Sequence, residues 1–180
     1  ALGNQDMERT TTRQMAFMRS PDTHDPSNTL VAWFTQPPGA IIQISHEAEL
    51  TVEMASWLVD HGCSQLLARF PGPTPLIIIL DLRLMTKRQT AVRGLLVEAA
   101  KKLGPRLGTG YVLPPANSGK IYLASLHAAT AALRAFGAKV EVTDSLSQLL
   151  TSNEFAPHFE LVAILGSVDP LPIDFDLVFE

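Results

Sequence analysis

The chain has 180 residues, which is enough for one ordinary domain with appended segments and too few for two full domains. Hydrophobic residues make up 46% and charged residues 18% of it, a composition that can build a core and excludes wholesale disorder. The formal net charge of -4 argues against a general nucleic-acid binder.

The cysteine and histidine content disfavours a disulfide framework and a metal site. Cys63 is the only cysteine, and the five histidines lack the spacing that would place two of them on one helical face. We therefore predict no metal and no cofactor. No apolar run is long enough to cross a bilayer and no secretory signal is visible, so we expect a cytoplasmic protein without a membrane span.

The first predicted elements are a leader, a hairpin and a helix. Residues 1–28 are polar and show neither strand nor helix periodicity, which predicts a flexible leader. Strands are predicted at 29–35 and 40–45, because β-prone residues there flank a Pro-Pro-Gly turn. Apolar residues at helical spacing predict a helix over 51–70, which Pro71-Gly72-Pro73 ends.

The apolar run Leu76-Ile77-Ile78-Ile79-Leu80 predicts a central strand over 75–82 that is covered on both faces. Thr86 and Gln89 have the spacing of a capping box and predict the start of a second long helix, which ends near Gly104. The later elements are predicted as a strand over 110–113, a helix from 117 or 118 to 136, a strand over 138–142 and a short helix over 145–150.

Strands that alternate with helices predict one α/β domain over 29–151, with a mixed, mostly parallel sheet. Residues 152–180 are predicted as a C-terminal extension, in which the alternation of apolar residues over 173–179 indicates an edge strand. The helix over 117–136 is apolar on nearly all sides, so it needs a second cover from the extension, another subunit or an apolar ligand. We therefore also predict self-association as a homo-oligomer such as a homodimer.

The run from Leu30 to Leu150 resembles a STAS domain, the SpoIIAA-like fold of bacterial anti-sigma factor antagonists. Two segments, 76–86 and 135–146, carry the resemblance because they are similar to the strand-then-helix signatures of the family. Where phosphorylatable members have Asp-Ser-Ser-Gly, this chain has Gln89-Thr90-Ala91-Val92, so Ala91 takes the phosphoserine position and Thr90 is the neighbouring hydroxyl. The resemblance implies a non-enzymatic interaction or ligand-binding module and leaves its partner unnamed.

Basic residues concentrate beyond the carboxyl ends of the predicted strands, where open α/β sheets bind their ligands. Residues 81–110 carry seven Lys and Arg against two Asp and Glu, whereas the rest of the chain is acidic. Because a helix start adds partial positive charge, this rim is predicted to attract an anion or an acidic partner. A solvated surface is the alternative for any single residue. The candidate binding residues are Arg83, Thr86, Lys87, Arg88, Thr90, Ser118 and Lys120.

Three functions are compatible with these patterns. The first is a regulatory module that binds a protein partner, and no nucleic acid, through the rim and the start of the second long helix. The alternative is a small-molecule binding domain with an apolar or anionic ligand at the strand ends. The third is an enzyme of unknown class that uses Asp81, His46 and Thr90, which requires these side chains to reach one cavity.

Overall fold

The computed structural model describes residues 20–35, 38–115, 118–134 and 137–143, and its centre is a six-stranded β-sheet. The strands are β1 (Thr23–His24), β2 (Leu30–Thr35), β3 (Gly39–Ile44), β4 (Ala48–Leu50), β5 (Leu76–Asp81), β6 (Met85–Arg88), β7 (Leu107–Leu113) and β8 (Lys139–Val142). The large sheet has the order β1-β2-β3-β5-β7-β8, and β4 pairs with β6 in a separate two-stranded sheet.

Helices link the successive parallel strands. They are α1 (Val52–Trp57), α2 (Cys63–Arg69), α3 (Val92–Leu103) and α4 (Lys120–Arg134), with a π-helical turn at Leu58–Gly62 and a 3-10 turn at Gly104–Arg106. The β2–β3 pair is antiparallel, as the hairpin prediction required, whereas β3–β5, β5–β7 and β7–β8 are parallel. The predicted α/β class with a mostly parallel sheet is therefore confirmed.

The core lies between one face of the sheet and the helices. Strand residues such as Ile42, Ile78 and Val112 pack there against Leu66 of α2 and Leu103 of α3. The opposite face of the central strand is buried as well, since Ile79 is fully inaccessible. Burial on both faces explains why this strand is a continuous aliphatic run in the sequence.

The second long helix does not begin at Thr86, which corrects the capping-box prediction. Residues Met85–Arg88 form β6 and pair in parallel with β4, and α3 begins only at Val92. The Gln89 side chain that was assigned to the box instead accepts a hydrogen bond from the backbone N–H of Val52, at the start of α1. A partner distant in sequence therefore outcompetes the local cap.

The first helical segment is interrupted by a π-helical turn that apolar spacing does not reveal. In the turn at Leu58–Gly62 the hydrogen-bonding register changes, which alters the pairing of nearby carbonyl groups. Lys102 of α3 donates to the carbonyl oxygen of Val59 at 2.7 Å, and the Ser64 hydroxyl donates to that of Asp60 at 2.9 Å. Side chains thus replace part of the regular backbone pairing.

The folded chain begins earlier than the predicted leader allows, because β1 pairs with β2. Asp25 is the cause. Its buried carboxylate accepts hydrogen bonds from the backbone N–H groups of Thr29 at 2.8 Å and Leu30 at 2.7 Å, and from the Ser27 hydroxyl. The rest of the leader, the helix over 145–150 and the extension over 152–180 lie outside the described residues.

The pH dependence of stability tests the Asp25 network. Burial alone raises the pKa of Asp25, but the hydrogen bonds from Ser27, Leu30 and Thr29 outweigh burial and lower the pKa below its ordinary value. A lowered pKa in the folded state stabilises the protein above the unfolded pKa of about 4, and this contribution is lost as the pH falls. Asp25→Ala should cost about 2 kcal/mol in urea unfolding at pH 7. A cost that does not shrink by pH 3 would contradict this origin.

Two glycine substitutions test the packing of the sheet. A Cβ on Gly39 would overlap sterically with the backbone oxygen of Ile77 on the adjacent strand, whereas a Cβ on Gly94 of α3 would meet no atom within 4 Å. Gly39→Ala should destabilise the fold by about 3 kcal/mol or more. Gly94→Ala should stabilise it by about 1 kcal/mol, because glycine is unfavourable inside an exposed helix. Equal effects in thermal unfolding would refute the register.

Candidate functional site

A buried ion pair occupies the carboxyl end of the central strand. Asp81, the last residue of β5, is 2% exposed and lies in register with Gln43 of β3. The Gln43 amide donates to Asp81 Oδ2 at 3.0 Å, and the Arg83 guanidinium donates to both carboxylate oxygens, at 3.0 and 2.9 Å. The Arg83 backbone N–H also donates to Asp81 Oδ1 at 3.1 Å, which tightens the turn into β6.

These contacts give Arg83 a structural role that sequence reasoning missed. The planar fork of its guanidinium is aligned with the two oxygens of Asp81, the strongest geometry for such a pair. A role for Arg83 in binding a partner stays a prediction. A clue was present in the sequence, since an acidic residue that ends an apolar strand requires a nearby cation or donor.

The remaining predicted residues of β6 and the start of α3 lie at the surface. Thr86, Lys87 and Thr90 are exposed, and Lys87 pairs with Glu49 of β4 at 3.4 Å. Both partners of that pair are accessible to solvent, so it contributes little to stability. Three of the predicted residues are thus accessible to solvent on β6 and just before α3, whose N-cap is Ala91.

Ser118 and Lys120, the last two candidate binding residues, lie at the start of α4. The Ser118 hydroxyl donates to the carbonyl oxygen of Pro115 at 2.6 Å, and Lys120 is exposed as the first residue of the helix. The hydroxyl therefore closes the turn before the helix. Neither residue has a described hydrogen bond or ion pair with Lys87 or Thr90, and their role in binding stays a prediction.

Arg88, the last residue of β6, turns towards the interior. Its guanidinium carbon lies 5.6 Å from the centre of the Tyr122 ring on α4, within the range of a cation–π contact. Both side chains line an apolar cavity of about 130 Å³ between the sheet, α3 and α4. The predicted basic rim is therefore divided, with Arg83 bound to Asp81, Lys87 outside and Arg88 at the cavity.

The three residues of the enzyme hypothesis are not brought together. Asp81 is engaged by Gln43 and Arg83, His46 is an exposed neighbour of the Ser45 hydroxyl, and Thr90 is exposed on another element. None of the three lines the cavity described above. This geometry gives the proposed combination of acid, base and nucleophile no common reaction centre.

Cys63 is buried in the core, where it packs as a small hydrophobic residue. Burial raises the pKa of its thiol to about 11 even though Lys102 lowers it, so the group is not a thiolate at neutral pH. Within the described ranges there is no group of three or more potential metal ligands, and no helix is long and apolar enough to cross a membrane.

Removal of the Arg83 side-chain charge tests the buried pair. In Arg83→Met the buried Asp81 carboxylate loses the cation that pairs with it, and unfolding by urea should show a cost of about 3 kcal/mol. The double variant Asp81→Asn with Arg83→Met should recover part of that loss, because no uncompensated charge remains. Lys87→Met, which breaks the exposed pair, is the matched control and should change stability by less than about 1 kcal/mol. A similar cost for both single variants would contradict the buried pair.

Comparisons with known proteins find similarity only at the level of structure. No protein-family model matches the sequence, and no curated protein matches it significantly. An uncharacterized protein of the DUF3478 family with a SpoIIAA-like fold, from Shewanella loihica PV-4, matches 73% of this chain and 96% of its own at 13% identity and a TM-score of 0.47. The anti-sigma factor antagonist SpoIIAA in its unphosphorylated form matches 62% of this chain and 86% of its own at 12% identity and a TM-score of 0.43.

Proposed function

We propose that this chain is a non-enzymatic, STAS-like regulatory module that binds an acidic segment of a protein partner. The binding site is the β6–α3 surface, defined here as Thr86, Lys87, Thr90, Ala91 and Arg93. The observation that carries the proposal is that all five residues are exposed on adjoining parts of one strand and one helix start. The proposal rests on the accessibility and the charge of these residues, which lie where the resemblance to STAS domains predicts contact with a partner.

The charge of this surface favours an acidic partner. Lys87, which pairs with Glu49, and Arg93 are its charged residues, and none of its five residues is acidic. The first turn of α3 contains no acidic residue, and its N-cap, Ala91, has no side chain that could accept a hydrogen bond from the helix. The helix dipole therefore adds to the positive potential instead of being offset by a capping carboxylate. Electrostatic attraction of this kind accelerates association and selects partners by charge.

The surrounding structure gives the surface a fixed framework. The β4–β6 pairing positions Lys87 opposite Glu49, and the backbone N–H of Gln89 donates to the carbonyl oxygen of Leu50 at 3.2 Å. The first two turns of α3 are anchored by Val92, which is fully buried. A partner would thus meet a preformed surface, which lowers the entropy cost of binding. A cytoplasmic location and self-association stay predictions beside this proposal.

Two double variants with the same change in charge, one on the β6–α3 surface and one on α2, test the proposal. Lys87→Glu with Thr90→Glu changes the charge of the β6–α3 surface, whereas Gln65→Glu with Arg69→Glu makes the same total change on α2, where both residues are exposed. Tagged wild-type and variant proteins would be compared in the native host by quantitative capture and mass spectrometry. The captured partner would then be purified and titrated by calorimetry.

We expect the β6–α3 double variant to bind the purified partner at least about tenfold more weakly, through loss of charge complementarity. The α2 variant should retain wild-type affinity, and circular dichroism should show both variants folded. Unchanged affinity of the β6–α3 variant, or an equal loss in the α2 variant, would overturn the proposed surface.

A further inference from the structure

The cavity between the sheet, α3 and α4 is mostly apolar, and only a few residues contribute polar groups to it. Its walls include Leu96 and Ala100 of α3, Leu126 of α4, and Ile78 and Val112 of the sheet. The volume of about 130 Å³ is close to that of the roughly 150 Å³ engineered cavity that binds benzene. It therefore has room for an apolar group of about six carbons.

The sheet contributes a glycine to this cavity, which helps to create the space. Gly110 lies inside β7 and in register with Val140 of β8. A Cβ at this position would lie 3.5 Å from the nearest atom, a methyl group of Val140, which is ordinary van der Waals contact. Packing would thus accept a side chain, and a glycine inside a strand often marks the close approach of another group.

The polar groups of the cavity are hydrogen-bond donors. The Tyr122 hydroxyl is buried and has no hydrogen-bond partner in the described part of the chain. Burial raises the pKa of Tyr122, although Arg88 opposes the shift, so the phenol keeps its proton at neutral pH. Arg88 and Arg93 also line the cavity, and no carboxylate among the described residues forms a salt bridge with either. An anion would satisfy groups that are otherwise uncompensated.

We propose that this cavity binds a small apolar monocarboxylate, with its hydrocarbon part among Leu96, Leu126 and Val112 and its carboxylate at Arg88 and the Tyr122 hydroxyl. Two donors of this type suit the two oxygens of one carboxylate. A cavity of this size accepts a chain of about six carbons, and a longer chain would project into solvent. The cavity shares Arg93 with the proposed partner surface, but neither Lys87 nor Thr90 lines it, so these two residues distinguish the two sites.

Hexanoate and 1-hexanol test the proposal as a matched pair, since they share a chain length and differ in charge. Binding to the full chain would be measured by calorimetry and by methyl NMR shifts of Leu96 and Leu126. We expect hexanoate to bind at least about tenfold more tightly than hexanol, because only the carboxylate can engage Arg88. Equal affinities for the two probes, or no shifts at the cavity methyl groups, would overturn the proposal.

Three single variants test whether Arg88, Tyr122 and the space beside Gly110 form the binding site. Arg88→Met should abolish the preference for hexanoate over hexanol, and Tyr122→Phe should weaken hexanoate more than hexanol. Gly110→Val should bind neither probe while it keeps or raises the melting temperature, because it fills apolar space in a strand. The control variant Lys87→Glu with Thr90→Glu should bind hexanoate as the wild type does, which separates this site from the partner surface. Retention of tight hexanoate binding by folded Gly110→Val would place the ligand elsewhere and refute the cavity.

Discussion

The ion pair between Asp81 and Arg83 is the constraint on which the rest of this end of the molecule depends. An ionised carboxylate that is 2% exposed is tolerated only where a cation and further donors compensate it, and here Arg83 and Gln43 do so. Because Arg83 follows Asp81 by two residues, the same contacts bend the chain out of β5 and begin β6. The direction of β6 then sets where α3 starts. Both candidate sites thus follow from a charge pair within the chain.

The predictable part of the fold is the part that local sequence determines. The aliphatic run at 76–80 specifies a strand buried on both faces, since no other short element accommodates such a run between breakers. The helices ending near Phe70 and Gly104 follow in the same way from spacing and from the Pro and Gly residues behind them. These elements dictate a parallel sheet with helical crossovers, and the α/β class could be predicted from them alone.

The parts that could not be predicted depend on pairs of groups far apart in the chain. Thr86 and Gln89 match a local capping box. In the structure β6 instead pairs with residues 48–50, and the Val52 backbone N–H donates to the Gln89 side chain. A local sequence pattern contains no information about either of these long-range interactions. Asp25 is a second example, over a shorter separation in the chain. Its polar sequence context gives no sign that the backbone N–H groups of Thr29 and Leu30 donate to its carboxylate. For the candidate site, composition indicated a basic cluster but could not tell that Arg83 faces a carboxylate inside while Lys87 faces outward. The cavity lay beyond sequence reasoning altogether, since its walls come from nine elements that are spread along the chain.

The short strand β6 explains how one basic segment serves two different surfaces. Lys87 is directed towards Glu49 and solvent, whereas the next side chain, Arg88, is half-buried against Tyr122. In a strand, consecutive side chains point to opposite sides, so a change from helix to strand at this position separates two charges that a helix would have placed only about 100° apart. The wrong prediction of a helix over these residues therefore also affected the functional interpretation, because it treated an external surface and a proposed internal anion site as one rim. With β6 as a strand, charge at residue 87 can be altered without disturbing the group that faces the cavity.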